Sequence, residues 1–405
     1  MTKLEDYREI IGDEKFYSIY SKMRKLYGKS IVNINSTYIG GGVAEILSSL
    51  VPLQNDIGLE SGWRTIHGNP DFYGVTKKFH NALQGEKINF SDMKKNLYVQ
   101  TNEIFSKYTH IKSHDFMIIH DPQPLPLIQF YNKRQPWIWR CHIDISGPDK
   151  DLWDYFKQFI LKYDKVIVSS KKYMSSDIPL DYKIITPGID PLTPKNKPIS
   201  DTVVEKYLRK YGVPNDKPLI TQISRFDKWK DPVGVVEVFK RVREKIDCRL
   251  VLCGNMATDD PEGFVIFEQI KEEAKELIKS KDIILITAEN NILVNALQRK
   301  SKVIIQKSIR EGFGLTVTEA LWKETPVVTT KVGGIPLQVN DGENGFLLEP
   351  DDVDGFAEKI VELLEKPKLA AELGRAGKEI VREKFLVTRI LTDYLDLFNE
   401  LNGCS

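Results

Sequence analysis

The stretch Val303-Ile-Ile-Gln-Lys-Ser308-Ile-Arg-Glu311-Gly-Phe-Gly314-Leu-Thr-Val-Thr-Glu319-Ala-Leu-Trp322 decides the fold class. A short apolar run, Val303–Gln306, leads into a glycine-bearing turn, and a helical pattern opens near Leu315. Strand, turn and helix in this order make up part of a βαβ unit, and recurrence of the unit implies a parallel sheet. It recurs on both sides. Further candidate strands are Leu219–Ser224, Arg249–Leu252, Ile283–Ile286, Val327–Thr330 and Phe346–Leu348. Helical patterns at Val353–Leu364, Ala370–Lys384 and Val387–Leu401 end the series.

An equivalent series lies upstream. Its candidate strands are Ser30–Asn35, Glu60–Ile66, Asp115–His120, Trp137–His142, Lys165–Ser169 and Lys183–Thr186. Helical patterns at Val43–Gln54, Phe72–Leu83 and Leu152–Lys162 fall between them, and a charged amphipathic lead, Leu4–Tyr27, precedes them. The two series are separated by Pro187–Pro198, rich in Pro, Asp and Lys, a composition typical of a linker. The expected fold is therefore α/β, with two Rossmann-like, doubly wound parallel-sheet domains of about 1–190 and 191–385. Folds of this type bind ligands outside the carboxyl ends of their strands.

Composition narrows the function classes. The 405 residues suffice for two domains, and 41% hydrophobic with 28% charged residues is a globular composition. A net charge of +1 argues against nucleic acid as a partner, which calls for a basic excess. No apolar run approaches the roughly 20 residues of a membrane helix, and Met1–Ile11 lacks the apolar centre of a signal peptide. Cys141, Cys248, Cys253 and Cys404 have no metal-ligand spacing, so buried thiols in a reducing cytoplasm are expected, with no membrane partner.

Three segments bear chemistry. In the first, Gly312 and Gly314 flank Phe313 and permit tight turns, after which the helix start at Leu315 offers free N–H groups. Glu311 stands before the turn and Glu319 lies inside the helix, so the two carboxylates can reach opposite ends of one ligand, a sugar's hydroxyls and a ribose diol. The plain alternative is a chance Glu at a turn and another on a solvated helix face. In the second, Arg225 and Lys230 bracket a loop after a strand, with Asp231 as a plausible N-cap and Pro232 at the first helical position. A basic pair there suits a diphosphate; two solvated charges are the alternative. The third is Gly40-Gly41-Gly42, which follows a strand and is, by itself, as well explained by a turn. His120 and His142 also end strands, where a structural role is the commoner one.

Together these residues resemble the family 4 glycosyltransferases of the GT-B fold, with Glu311 and Glu319 supplying the ends of that family's E-x7-E motif. Arg225 and Lys230 match its diphosphate-binding pair, Gly40–Gly42 its N-domain glycine loop, His142 a histidine near the donor sugar, and Gly333-Gly334 another glycine turn. A closer similarity is to the trehalose glycosyltransferring synthases. It rests on Phe79–Gly85, His120–Pro124, Arg134–Asp144, Met256–Gly263 and Ser308–Glu319, with Thr258 departing from the His expected there.

The resemblance implies transfer of glucose from UDP- or ADP-glucose to free glucose, giving α,α-trehalose with retention. Arg225, Lys230 and N–H groups around Gly41 would hold the diphosphate. Glu311 with the backbone of Gly312–Leu315 would hold glucose hydroxyls, Glu319 the ribose and His142 the donor sugar. No cofactor is then required, with stimulation by Mg2+ left open, and a homodimer is admissible. The terminal helix, about 386–405, would rejoin the first domain. Acceptor contacts are expected from Tyr38, Trp63, Asn81 and Gln84. Two rivals stand beside this reading: another acceptor (a sugar phosphate, a lipid or a glucan) and a non-catalytic nucleotide-sugar-binding regulator.

Overall fold

The computed structural model describes residues 2–254 and 261–403. It divides into two compact units, Met1–Gly188 with Val387–Ser405, and Ile189–Leu386. Most of the Met256–Gly263 motif, Thr258 included, and Cys404 lie outside the described residues.

The first unit holds a six-stranded parallel sheet of β1 (Ser30–Asn35), β2 (Glu60–Thr65), β3 (Phe116–His120), β4 (Trp137–Arg140), β5 (Lys165–Val168) and β6 (Asp181–Ile184), in the order β2-β1-β3-β4-β5-β6. Central strands covered by helices on both faces are buried along their length and mostly apolar. All residues of β3, β4 and β5 are accordingly buried, whereas the edge strand β6 has none buried. The exposed polar edge explains why β6 begins at Asp181 rather than at the expected Lys183. A helix at Asp92–Tyr108, unannounced by periodicity, buries only Tyr98, Asn102 and Phe105.

The second unit repeats the architecture with β7 (Leu219–Ile223), β8 (Arg249–Gly254), β9 (Ile283–Thr287), β10 (Val303–Gln306), β11 (Val327–Thr330) and β12 (Phe346–Leu348). Its order, β12-β11-β10-β7-β8-β9, is the doubly wound order of dinucleotide-binding sheets. Each unit is thus a Rossmann-like fold. Cys141, Cys248 and Cys253 are buried free thiols.

The segment read as a linker is firmly tied down after Gly188. Asn295 Nδ2, on helix Asn291–Lys300, donates to Pro194 O (2.9 Å) and Lys197 O (2.8 Å), and Arg299 donates to Asn196 O and Lys197 O at 3.2 Å. Ile189 N donates to Phe385 O at 2.8 Å, so the two ends of the second unit lie side by side. The last helix, Val387–Asn402, packs in the first unit: Phe398 stacks on Phe116 at 4.8 Å and Asn399 donates to Lys22 O at 2.8 Å.

Candidate active site

In the second unit the chain leaves β7 toward β8 on one side and β10 toward β11 on the other, so the sheet's switch point lies between β7 and β10. The loops after these two strands carry Arg225 with Lys230, and Ser308 with Glu311. Lys230 Nζ meets Glu311 Oε2 at 2.5 Å, both side chains being mostly buried. Ser308 Oγ donates to the same oxygen at 3.3 Å. Arg225 is half exposed and pairs with Asp227 at 3.0 Å.

The backbone around this pair is braced from several directions. Asp231 adopts a left-handed conformation (φ 45°) to cap helix Pro232–Arg243, accepting from Gly234 N at 3.0 Å. Its second oxygen takes the buried Lys307 ammonium, which ties the β7 loop to the β10 loop. Ile309 N donates to Trp229 O (2.8 Å) and Thr330 Oγ1 to Ser308 O (2.7 Å). Gln338 donates to Phe313 O at 2.5 Å and accepts from Thr318 Oγ1 at 2.5 Å. Gly314 reaches φ 84° to cap helix Leu315–Trp322; Val317 N donates back to Gly314 O at 2.9 Å, and the N–H groups of Leu315 and Thr316 come too early for an i−4 partner in the helix. Gly334 has an ordinary φ of −88°; it is glycine because a Cβ would stand 2.7 Å from Gly312 O and 2.9 Å from Phe313 Cα.

Glu319 is not on a solvated face. It is fully buried, its carboxylate paired with Lys195 from the tied-down segment (2.7 Å) and accepting from Gln298 Nε2 (3.2 Å).

In the first unit the switch point lies between β1 and β3. Gly40 (φ 75°) and Gly41 (φ 83°) follow β1, with open space where a Cβ would be, and Gly41 caps helix Gly42–Asp56. Beside them, Tyr38 packs edge-on against Trp63 at 4.8 Å, and Trp63 Nε1 donates to Asn35 Oδ1 at 2.8 Å. Asn81 and Gln84 are buried at the end of helix Pro70–Leu83, and no hydrogen bond among the described residues links them to these groups.

The two histidines meet. His120 Nδ1 lies 3.0 Å from His142 Nε2, and His120 Nε2 lies 3.1 Å from Asn33 Oδ1. β4 stops at Arg140 rather than at the expected His142 because the His142 N–H is taken by the Asp121 carboxylate (2.7 Å), Asp121 itself sitting at φ 62°. Below them Arg140 is buried, donating from Nη2 to Ser169 Oγ (3.2 Å) and Ile185 O (2.6 Å), with Nη1 unbonded. Burial, then the Arg140 charge, pushes His120 down to about 3 and His142 well below its ordinary value. Burial raises Asp121 to about 6, against its bond from His142 N–H and the Arg140 charge. Both imidazoles are therefore neutral near pH 7. The cavity bounded by His120, Arg140, His142 and Tyr394 measures ≈ 10 Å³, room for one water and far too small for a sugar.

Sequence reasoning singled out Lys230, Glu311 and His142 but missed Asn33, Lys195 and Lys307, whose partners (His120, Glu319 and Asp231) lie far away along the chain. Asp121 and Arg140 were quoted in motifs without a role. No His, Cys, Asp and Glu cluster suited to a metal occurs among the described residues, and no helix there is long and apolar enough to cross a membrane.

Comparison with known proteins bears on this geometry. Residues 33–175 match the family model of the trehalose synthase N-terminal domain, and residues 203–380 that of glycosyl transferases group 1. The chain is 48% identical over 400 residues to the trehalose synthase of Thermococcus litoralis, covering 98% of this chain and 97% of that protein. It is 46% identical to the trehalose synthase of Pyrococcus horikoshii, covering 99% and 97%. The chain belongs to the trehalose synthase family. It is a glycosyltransferase of trehalose metabolism, acting between a sugar donor and an acceptor. The fold is GT-B: the α,α-trehalose-phosphate synthase of Burkholderia xenovorans, solved with glucose-6-phosphate, superposes with a TM-score of 0.75. That match covers 93% of this chain and all of that one at 14% identity, and so speaks for the fold alone.

Proposed function

We propose that the chain transfers glucose from a nucleoside diphosphate glucose, UDP- or ADP-glucose, to free glucose, forming α,α-trehalose with retention. The observation that supports this most is the Lys230–Glu311 pair at the switch point of the second unit, braced by Lys307–Asp231 and Gln338. Lys230 and Arg225 are assigned to the diphosphate, Glu311 and the N–H groups from Gly312 to Leu315 to the glucosyl hydroxyls, and Glu319 to the ribose. In the first unit, N–H groups at Gly41–Gly42 are assigned to the diphosphate, and His142 to the donor sugar. The bond between the sugar's anomeric carbon and the diphosphate breaks, and the leaving oxygens keep the electron pair. The acceptor hydroxyl bonds to that carbon on the same face and its proton passes to a diphosphate oxygen. Cationic groups preorganised on such a leaving group contribute about 3–4 kcal/mol each, roughly a hundred- to a thousandfold in rate. The same positive charge fills the role that a divalent metal fills elsewhere, so we assign no required metal.

The test is product analysis with UDP- or ADP-glucose and free glucose, for the native chain and for Glu311→Gln and Arg225→Ala. A non-reducing disaccharide is expected, with kcat lowered at least a hundredfold in both variants and the fold retained. Release of free glucose and nucleotide alone, or near-normal turnover in both variants, overturns the proposal.

A further inference from the structure

The orientation of His142 is set by a chain of three side chains within the first unit. Asn33 lies on β1 with Nδ2 toward Gly62 O (3.5 Å) and Ser61 Oγ (3.4 Å). A carbonyl oxygen only accepts, so the amide must face it with its nitrogen, which leaves Oδ1 toward His120. Oδ1 in turn only accepts, so the His120 proton sits on Nε2, 3.1 Å away. Buried beside the Arg140 guanidinium, His120 stays neutral, and its Nδ1 is then a bare lone pair. The contact of 3.0 Å to His142 Nε2 is a hydrogen bond only if His142 carries its proton there. Neutral His142 therefore has an unprotonated Nδ1, for which no hydrogen-bond partner occurs among the described residues. The Asp121 carboxylate holds the His142 backbone N–H at 2.7 Å and so fixes where the ring starts.

We infer that His120, anchored by Asn33, is a positioning residue that presents His142 to the donor sugar as a hydrogen-bond acceptor. The inference rests on the proposed reading in which His142 meets the donor sugar. It adds a chemical selectivity: Nδ1 accepts a proton from a sugar hydroxyl, and a donor in which that hydroxyl is replaced by hydrogen or fluorine has none to give.

Two measurements on the whole enzyme decide it. Two-bond proton–nitrogen spectra of the 15N-histidine-labelled native protein are expected to show His142 protonated at Nε2 alone. His142→Ala and His120→Leu are expected to lose about tenfold in kcat, the worth of one hydrogen bond. His120→Asn is expected to recover most of it, because its Oδ1 takes the place of the imidazole Nδ1 as acceptor. A proton on His142 Nδ1 in the native protein, or equal losses in His120→Leu and His120→Asn, overturns the inference while leaving the donor assignment intact. Native turnover in His142→Ala removes the donor assignment of His142, and the inference falls with it.

Discussion

Gly334→Ala is the sharpest probe of the braced turn. Gly334 sits at φ −88°, a conformation open to any residue, so the substitution acts through space alone. The added methyl would lie 2.7 Å from Gly312 O, 2.9 Å from Phe313 Cα and 3.0 Å from Phe313 Cδ2. Ordinary contact begins near 3.4 Å, so the turn must retreat by about 0.7 Å (3.4 less 2.7). It cannot do so freely, because Gln338 holds Phe313 O and Thr330 holds Ser308 O. Overpacking of this kind costs about 1–3 kcal/mol, or roughly 2–12 °C in the melting temperature of a unit this size. The same displacement moves the backbone assigned to the glucosyl hydroxyls, and misplacement approaching 1 Å can cost on the order of a hundredfold in rate. Thermal unfolding and donor kinetics of Gly334→Ala should therefore show modest destabilisation with a loss in kcat/KM of about ten- to a hundredfold. Gly212→Ala is the control: at φ 70° with nothing within 4 Å of its Cβ, it should lose about 1 kcal/mol without altered kinetics. Native kcat/KM in Gly334→Ala, or an equal kinetic loss in Gly212→Ala, would refute the reasoning.

Two further outcomes are expected. His120 sits at about 3 when folded against an ordinary 6.5, so its stabilising contribution is complete above pH 6.5 and declines as pH falls toward 3. Asp121, raised to about 6 from 3.8, acts in the opposite sense, its neutral form favouring the fold as pH falls from 6 to 3.8. Native protein should thus lose roughly 1.4 kcal/mol per pH unit more than His120→Asn between about pH 6 and 4, and equal slopes in urea unfolding would contradict the burial argument. Glu319→Gln leaves Lys195 facing an uncharged amide and should lower the stability of the second unit by about 1–3 kcal/mol while raising donor KM. A lower melting temperature with unchanged KM assigns that carboxylate to the tied-down segment alone.

All twelve strands were legible, the central ones as short, mostly apolar runs, although the edge strands β2 and β6 are neither apolar nor mostly buried, and β1, β10, β11 and β12 have the expected ends. Where the reading slipped, a particular contact was responsible. β4 ends early because a side chain from another strand end captures the His142 N–H, and Asp92–Tyr108 hid because so few of its residues face the core. At the site, Lys230 and Glu311 could be nominated from loop position and residue type, but their contact spans 81 positions and leaves no periodic trace. Lys195 looked like one more linker charge, and only the folded chain sets it against Glu319. Asn33 read as an ordinary strand residue, because what it fixes is a proton two side chains away.

The division of the chain has a consequence during synthesis. The second unit is one continuous stretch, Ile189–Leu386, whose ends are already side by side, so it has all its residues once Leu386 has left the ribosome. The first unit does not. Phe116 waits for Phe398, and Lys22 O for Asn399, until helix Val387–Asn402 has been made. Domains fold as units while the chain emerges. The stretch that emerges first is therefore completed only after the second unit, when Val387–Asn402 brings Phe398 to Phe116.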